Sequence, residues 1–209
     1  MFKKIFMVFL LVFLGGCVKP DFDIKTSEAD KFSDPSIVKI DSYNNRLSDK
    51  SICDGKHIDD KGLYIDSSFI YDKNKNSYKT LLFASYTTAT QAGNGWVGAF
   101  CDKQGFMPIK QLIFLADTKR IVVNMSPDSP DIKYSGWNDI SRGFDGIYTE
   151  SSVGPIKLND LELIANAKIL DVKVVGGKYS QTFDNNELEK DFRDNLKKFI
   201  AQIKNKFQL

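Results

Sequence analysis

The chain has 209 residues, enough for one domain and a processing segment, with a core of ordinary size. Its 42% hydrophobic and 27% charged content is that of a folded globular chain, which excludes wholesale disorder. The 29 basic residues outnumber the 27 acidic ones by two, and those two are Lys3 and Lys4, so the rest of the chain is neutral. Arginine occurs only at Arg46, Arg120, Arg142 and Arg193. Such a surface lacks the Arg-rich field that recognises nucleic acid, and no nucleic-acid partner is expected.

In chain order, Lys3 and Lys4 open a basic stretch, and Ile5 to Leu14 form an apolar run too short to cross a bilayer as a helix. Leu14-Gly15-Gly16-Cys17 follows directly. This segment resembles the lipobox of bacterial lipoproteins, in which two small residues let the chain lie extended in the peptidase groove and the Cys thiol takes the lipid. The resemblance implies a signal peptide over 1–16, lipid attachment at Cys17 and an envelope location. Val18 stands where a retention signal would place Asp, so the resemblance implies sorting to the outer membrane in a Gram-negative cell. It concerns processing alone. The expected partner through this segment is the membrane, since an acylated terminus supplies the anchoring that a neutral domain does not.

Residues 17–36 are polar, end at Asp34-Pro35 and show no sustained period, which predicts a lipidated Cys and flexible tether ahead of a single domain over 37–209. Ile37 to Ile40 reads as a short strand and Asn44 to Lys50 as loop. Two further cysteines follow, Cys53 and Cys101. An even pair in an exported domain is read as a disulfide, worth about 4 kcal/mol for a loop of this length in the chain-entropy treatment. Two alternatives use His57, the only histidine. Cys53, His57 and Cys101 could ligate a metal, but no fourth ligand completes a tetrahedral set. His57 could also activate either thiol for hydrolysis, although neither Cys lies in a strand-turn-helix setting. Neither a metal nor another cofactor is expected.

From Gly62 the period shifts to two. Leu63, Ile65, Phe69 and Tyr71 mark one strand and Tyr78 to Thr88 the next, joined by the turn Asp72-Lys73-Asn74-Lys75-Asn76. That turn begins like a calcium loop, but Ser77 replaces the required Gly and Phe83 the bidentate Glu. Thr87 to Trp96 reads as a hairpin tip, with Trp96 either buried ahead of Val97 and Phe100 or exposed for stacking. Gly95 to Cys101, Ile109 to Ala116 and Arg120 to Met125 are predicted strands, the last two joined tightly at Asp117-Thr118-Lys119.

Asn124 to Gly146 carries Pro127, Pro130, Gly136, Gly143 and Gly146, and reads as a long loop with a short strand around Ile132 to Tyr134. Its Tyr134, Trp137 and Phe144, with Trp96, form the candidate binding surface, because long loops inside compact domains usually carry function. Glu150-Ser151 resembles the catalytic pair of lytic transglycosylases. That family, however, places the Glu on a helix, with further motifs that this chain lacks.

Asn159 with Glu162 resembles a capping box opening a short helix to about Ala167, with Leu158, Leu161, Ile164 and Ala165 facing the core. Ile169 to Val175 and Lys178 to Phe183 predict a hairpin turning at Gly176-Gly177. Asp184 with Glu187 is expected to cap the final helix, whose apolar residues Leu188, Phe192, Leu196, Phe199, Ile200, Ile203 and Phe207 follow the 3.6 period. The expected fold is α+β: an antiparallel sheet of about six to nine strands with a short and a long C-terminal helix packed on it. The expected function is a membrane-anchored, non-enzymatic binding or assembly module with an envelope protein as partner. The alternatives are an envelope polymer (peptidoglycan) hydrolase, and a lipoprotein that binds a small sugar or lipid ligand.

Overall fold

The computed structural model describes residues 21–28, 34–48, 62–92, 105–129, 131–138 and 143–208, and of 88–92, 131–138 and 143–147 the backbone alone. Twelve strands and two helices follow in order: β1 Asp23–Glu28, β2 Ile37–Tyr43, β3 Arg46–Ser48, β4 Gly62–Asp72, β5 Ser77–Ala92, β6 Ile109–Ala116, β7 Lys119–Asn124, β8 Ser126–Pro127, β9 Asp131–Asn138, β10 Gly143–Ile156, α1 Leu158–Asn166, β11 Leu170–Gly176, β12 Ser180–Phe183 and α2 Phe192–Phe207. The fold is the expected α+β, but its strands divide over two antiparallel sheets. The larger runs β1-β2-β4-β5-β10, with β3 also on β4 and both β8 and β9 on the far side of β10; the smaller runs β12-β11-β6-β7.

Period-two patterning sets which face each strand buries. On the larger sheet Ile40, Phe69, Leu82, Ala84 and Tyr86 face inward, and on the smaller sheet Leu112, Phe114, Ile121, Val123, Val172 and Val174 do so. With the helices these form one continuous core. Helix α2 buries Phe192, Leu196, Phe199, Ile200 and Ile203, the stripe expected from its period. The helices pack together, α1 against β6 and α2 against β4, and Lys204 pairs with Glu162 at 3.0 Å across them. The Arg193 guanidinium donates to the carbonyls of Ala167 and Lys168 at 2.7 and 2.9 Å, satisfying acceptors at the end of α1.

The turns follow short polar side chains. Asp72 Oδ1 accepts from the N–H groups of Asn74 and Lys75 at 3.0 and 3.1 Å, closing the β4–β5 hairpin. Asp117, at φ 53, turns β6 into β7, and its Oδ1 accepts from Lys168 and Ile169 at 3.0 Å each.

Four expectations are corrected. Part of the presumed tether, Asp23–Glu28, is β1, a strand paired with β2. The presumed loop at Asn44 to Lys50 holds β3. Helix α1 begins one residue before Asn159, after Lys157, without a side-chain cap. The Asp184–Glu187 capping box is real but closes a single 3-10 turn, Asn185–Glu187; α2 starts only at Phe192. Leu188 therefore packs on the core from outside the helix.

Candidate functional site

Strands β5 and β10 have 16 and 14 residues and pair without interruption from Thr80–Ile156 to Ala92–Phe144. On their shared inward face Tyr86 and Tyr148 are 1% and 3% exposed. The ladder then continues from Tyr148 to Phe144 by about 13 Å at the usual rise per residue. Strand β9 pairs with this extension on its outer side, making a three-stranded flange.

The presumed loop Asn124 to Gly146 is thus mostly ladder, a correction that changes where its aromatic residues lie. Trp137 is the register partner of Phe144, and Tyr134 is that of Gly146. Tyr134 and Trp137 are three residues apart, a spacing that puts two positions of a regular strand on opposite faces. The register shift between Asp145 and Gly146 absorbs the extra residue, Ser135, as a β-bulge. Both positions consequently fall on the face that carries Phe144, Tyr148 and Glu150.

At the root of the flange a buried polar clamp joins the two sheets. Glu150, 1% exposed, accepts from the Phe106 N–H at 2.5 Å through Oε1 and from the Met107 N–H at 3.0 Å through Oε2. Two residues on, the Ser152 hydroxyl donates to the Ile109 carbonyl at 2.8 Å. These i, i+2 residues share a face and hold the chain that leads into β6. Burial pushes the Glu150 carboxyl above its ordinary range, with the two N–H donors opposing. Burial, followed by the Glu150 charge, pushes the Tyr148 phenol up to about 12, so it stays a donor. Gly105, at φ 135, passes so close that a Cβ would lie 2.7 Å from Glu150 Oε1. The Glu150 oxygens are committed to the backbone, which is a positioning role and not a catalytic one.

A second acid with a raised carboxyl is the partly buried Asp66, pushed up to about 6 by desolvation, against the N–H donors of Asn45 and Asn44. Its Oδ1 accepts from the Asn45 N–H at 2.9 Å. Glu150 pairs with Tyr86 and Tyr86 with Leu63, so Asp66, three residues from Leu63, lies on the opposite face of the sheet. These two carboxylates do not converge.

A polar cleft of about 430 Å³ opens where β1 begins, lined by Asp21, Phe22, Asn44, Arg46, Asn195 and Lys198 among others. Arg46 pairs with Glu189 in its wall, Nε to Oε1 at 2.7 Å. Among the described residues no group of three His, Cys, Asp or Glu could hold a metal, and no helix is long and apolar enough to cross a membrane. Cys17, Cys53, His57, Cys101 and Trp96 lie outside the described residues, and so does the strand expected at Gly95 to Cys101. Comparison with protein-family models, with curated proteins and with solved structures finds no match for the chain.

Proposed function

We propose that the chain is a lipid-anchored protein of the bacterial cell envelope, held through Cys17, whose domain is a non-enzymatic binding or assembly module for another envelope protein. The observation that carries the binding role is the register of β9 and β10, which places the positions of Tyr134, Trp137 and Phe144 on one face of this three-stranded flange. Aromatic positions grouped on a rigid ladder make large contact area at little entropic cost, the usual composition of a docking centre. The hydrolase alternative needs paired carboxylates or a thiol near His57. The raised carboxylates of Glu150 and Asp66 lie on opposite faces of the sheet, and nothing described favours that chemistry.

The test is site-specific photo-crosslinking in the producing cell, with the crosslinker at Trp137 or Phe144 and, as control, at Lys173 on the outward face of the smaller sheet. A discrete adduct from both flange positions and none from Lys173, lost when Trp137→Ser is added to the Phe144 probe, is the expected result. Equal or absent crosslinking at all three positions would refute the flange as a docking surface.

A further inference from the structure

Resting on the reading of Cys17 as the lipid-bearing residue, we propose that the domain does not hang from a tether but docks edge-on against the anionic bilayer that holds its anchor. The docking face is β1 together with the outward stripe of α2.

The first argument is reach. Three residues separate Cys17 from Asp21, and the four steps between them span at most about 14 Å of extended chain. Asp21 is already fixed to the domain: its carbonyl accepts from Asn44 Nδ2 at 3.0 Å. Phe22 follows, half-buried, with Lys198 Nζ 5.9 Å from its ring centre. Strand β1 starts at Asp23 and pairs with β2 along its whole length. The attachment point is therefore leashed to this edge of the molecule.

The second argument is the chemistry of the edge. Lys198, Ala201, Gln202, Asn205 and Lys206 form one stripe of α2 without an acidic residue and line an open groove of about 590 Å³. Gln202 Nε2 donates to Thr26 Oγ1 at 3.0 Å, joining this stripe to β1. On β1 Lys25, 3.7 Å from the Asp23 carboxylate, stands 5.2 Å from the ring centre of Tyr43, which is 41% exposed, so the net positive charge of the face comes from Lys198 and Lys206 of α2. Lysines on the α2 stripe and the exposed Tyr43 ring suit the headgroup layer, where an amine meets lipid phosphate and an aromatic ring lies at the interface. No described strand pairs with the outer edge of β1, and open edges of this kind are normally covered.

The experiment reconstitutes the mature acylated protein in vesicles of phosphatidylethanolamine and phosphatidylglycerol, and reads lysine acetylation rates by mass spectrometry. Each rate is taken relative to the same protein in non-ionic detergent. Lys25, Lys198 and Lys206 are expected to slow several-fold, with Lys110 and Lys173 on the smaller sheet unchanged, and the protection is expected to vanish in phosphatidylcholine vesicles. A Lys198→Glu/Lys206→Glu double variant is expected to lose the protection at Lys25. An acylated Cys17 with equal rates at all five lysines, or with protection at Lys110 and Lys173 instead, overturns the docking and leaves the anchor standing. A free Cys17 thiol in the same spectra overturns the anchor itself.

Discussion

At the scale of single residues, burial raises both the Glu150 and the Asp66 carboxyl, and the two differ in what the side chain holds in place. The Glu150 carboxylate is the acceptor for two backbone N–H groups, so in Glu150→Gln an amide donor faces one of them. The expected loss is about 1–3 kcal/mol, read from the urea midpoint. Gly105→Ala should cost at least as much, since the new Cβ meets both Glu150 and the Tyr148 ring at 2.7 Å. At Asp66 desolvation of the charge is the larger effect. Its carboxyl is raised from 3.8 to about 6 in the folded chain, so the folded state prefers the protonated form. Its contribution is fully present below about pH 4 and is lost as pH rises through 6, by about 3 kcal/mol. Asp66→Asn keeps an acceptor for Asn45 and removes the charge. Thermal melts between pH 4 and 7 should then flatten, and at pH 7 the variant should be at least as stable as the parent. A variant that keeps the parent's pH dependence would refute this assignment. Neither acid could be read from the sequence. Glu150 sits beside Ser151 in a pair that resembles a catalytic motif, and only the approach of residues 105–109 from another sheet gives it a role. Asp66 lies in an alternating strand where a charge ordinarily signals the solvent side.

At the scale of elements, legibility followed local chemistry. The hairpin turns at Asp72 and Asp117, the β11–β12 hairpin and the α2 stripe are specified by residues close in sequence, and the structure has them where expected. Misreadings arose where a distant segment decides. Pro127 and Gly136, taken as loop signals, lie in strands because β10 offers its far side to both β8 and β9. The box at Asp184 and Glu187 closes a turn and not α2, because the chain first makes a bond from the Glu189 N–H to the Leu47 carbonyl at 2.9 Å. Gly154 marks another long-range constraint: a Cβ there would lie 2.4 Å from the Asn124 carbonyl at the end of β7. Backbone cannot give way as a side chain can, so Gly154→Ala should cost about 2–4 kcal/mol in denaturant titration. Phe199→Ala, at a fully buried position of α2, should cost about 3–5 kcal/mol by the same measurement. It would leave the flange register unchanged.

At the scale of the whole molecule, α+β was legible because strands with period two precede helices with period 3.6. The division into two sheets was not. It follows from β7 in the smaller sheet leading within two residues into β8, which pairs with β10 of the larger one, and no residue pattern announces that change of partner. The candidate site was legible as a set of aromatic residues and illegible as a surface: one bulge at Ser135 decides whether Tyr134 and Trp137 share a face. The strand order has a further consequence. Strand β1 is one edge of the larger sheet and β9 lies on the far side of β10, at the other. Five inter-strand steps of about 4.8 Å separate them, about 24 Å in all. With β1 laid on the bilayer as proposed, the sheet is a ruler standing on its edge. The aromatic flange is then held at a fixed height of about two dozen ångströms, set by hydrogen-bond spacing and not by the slack of a chain.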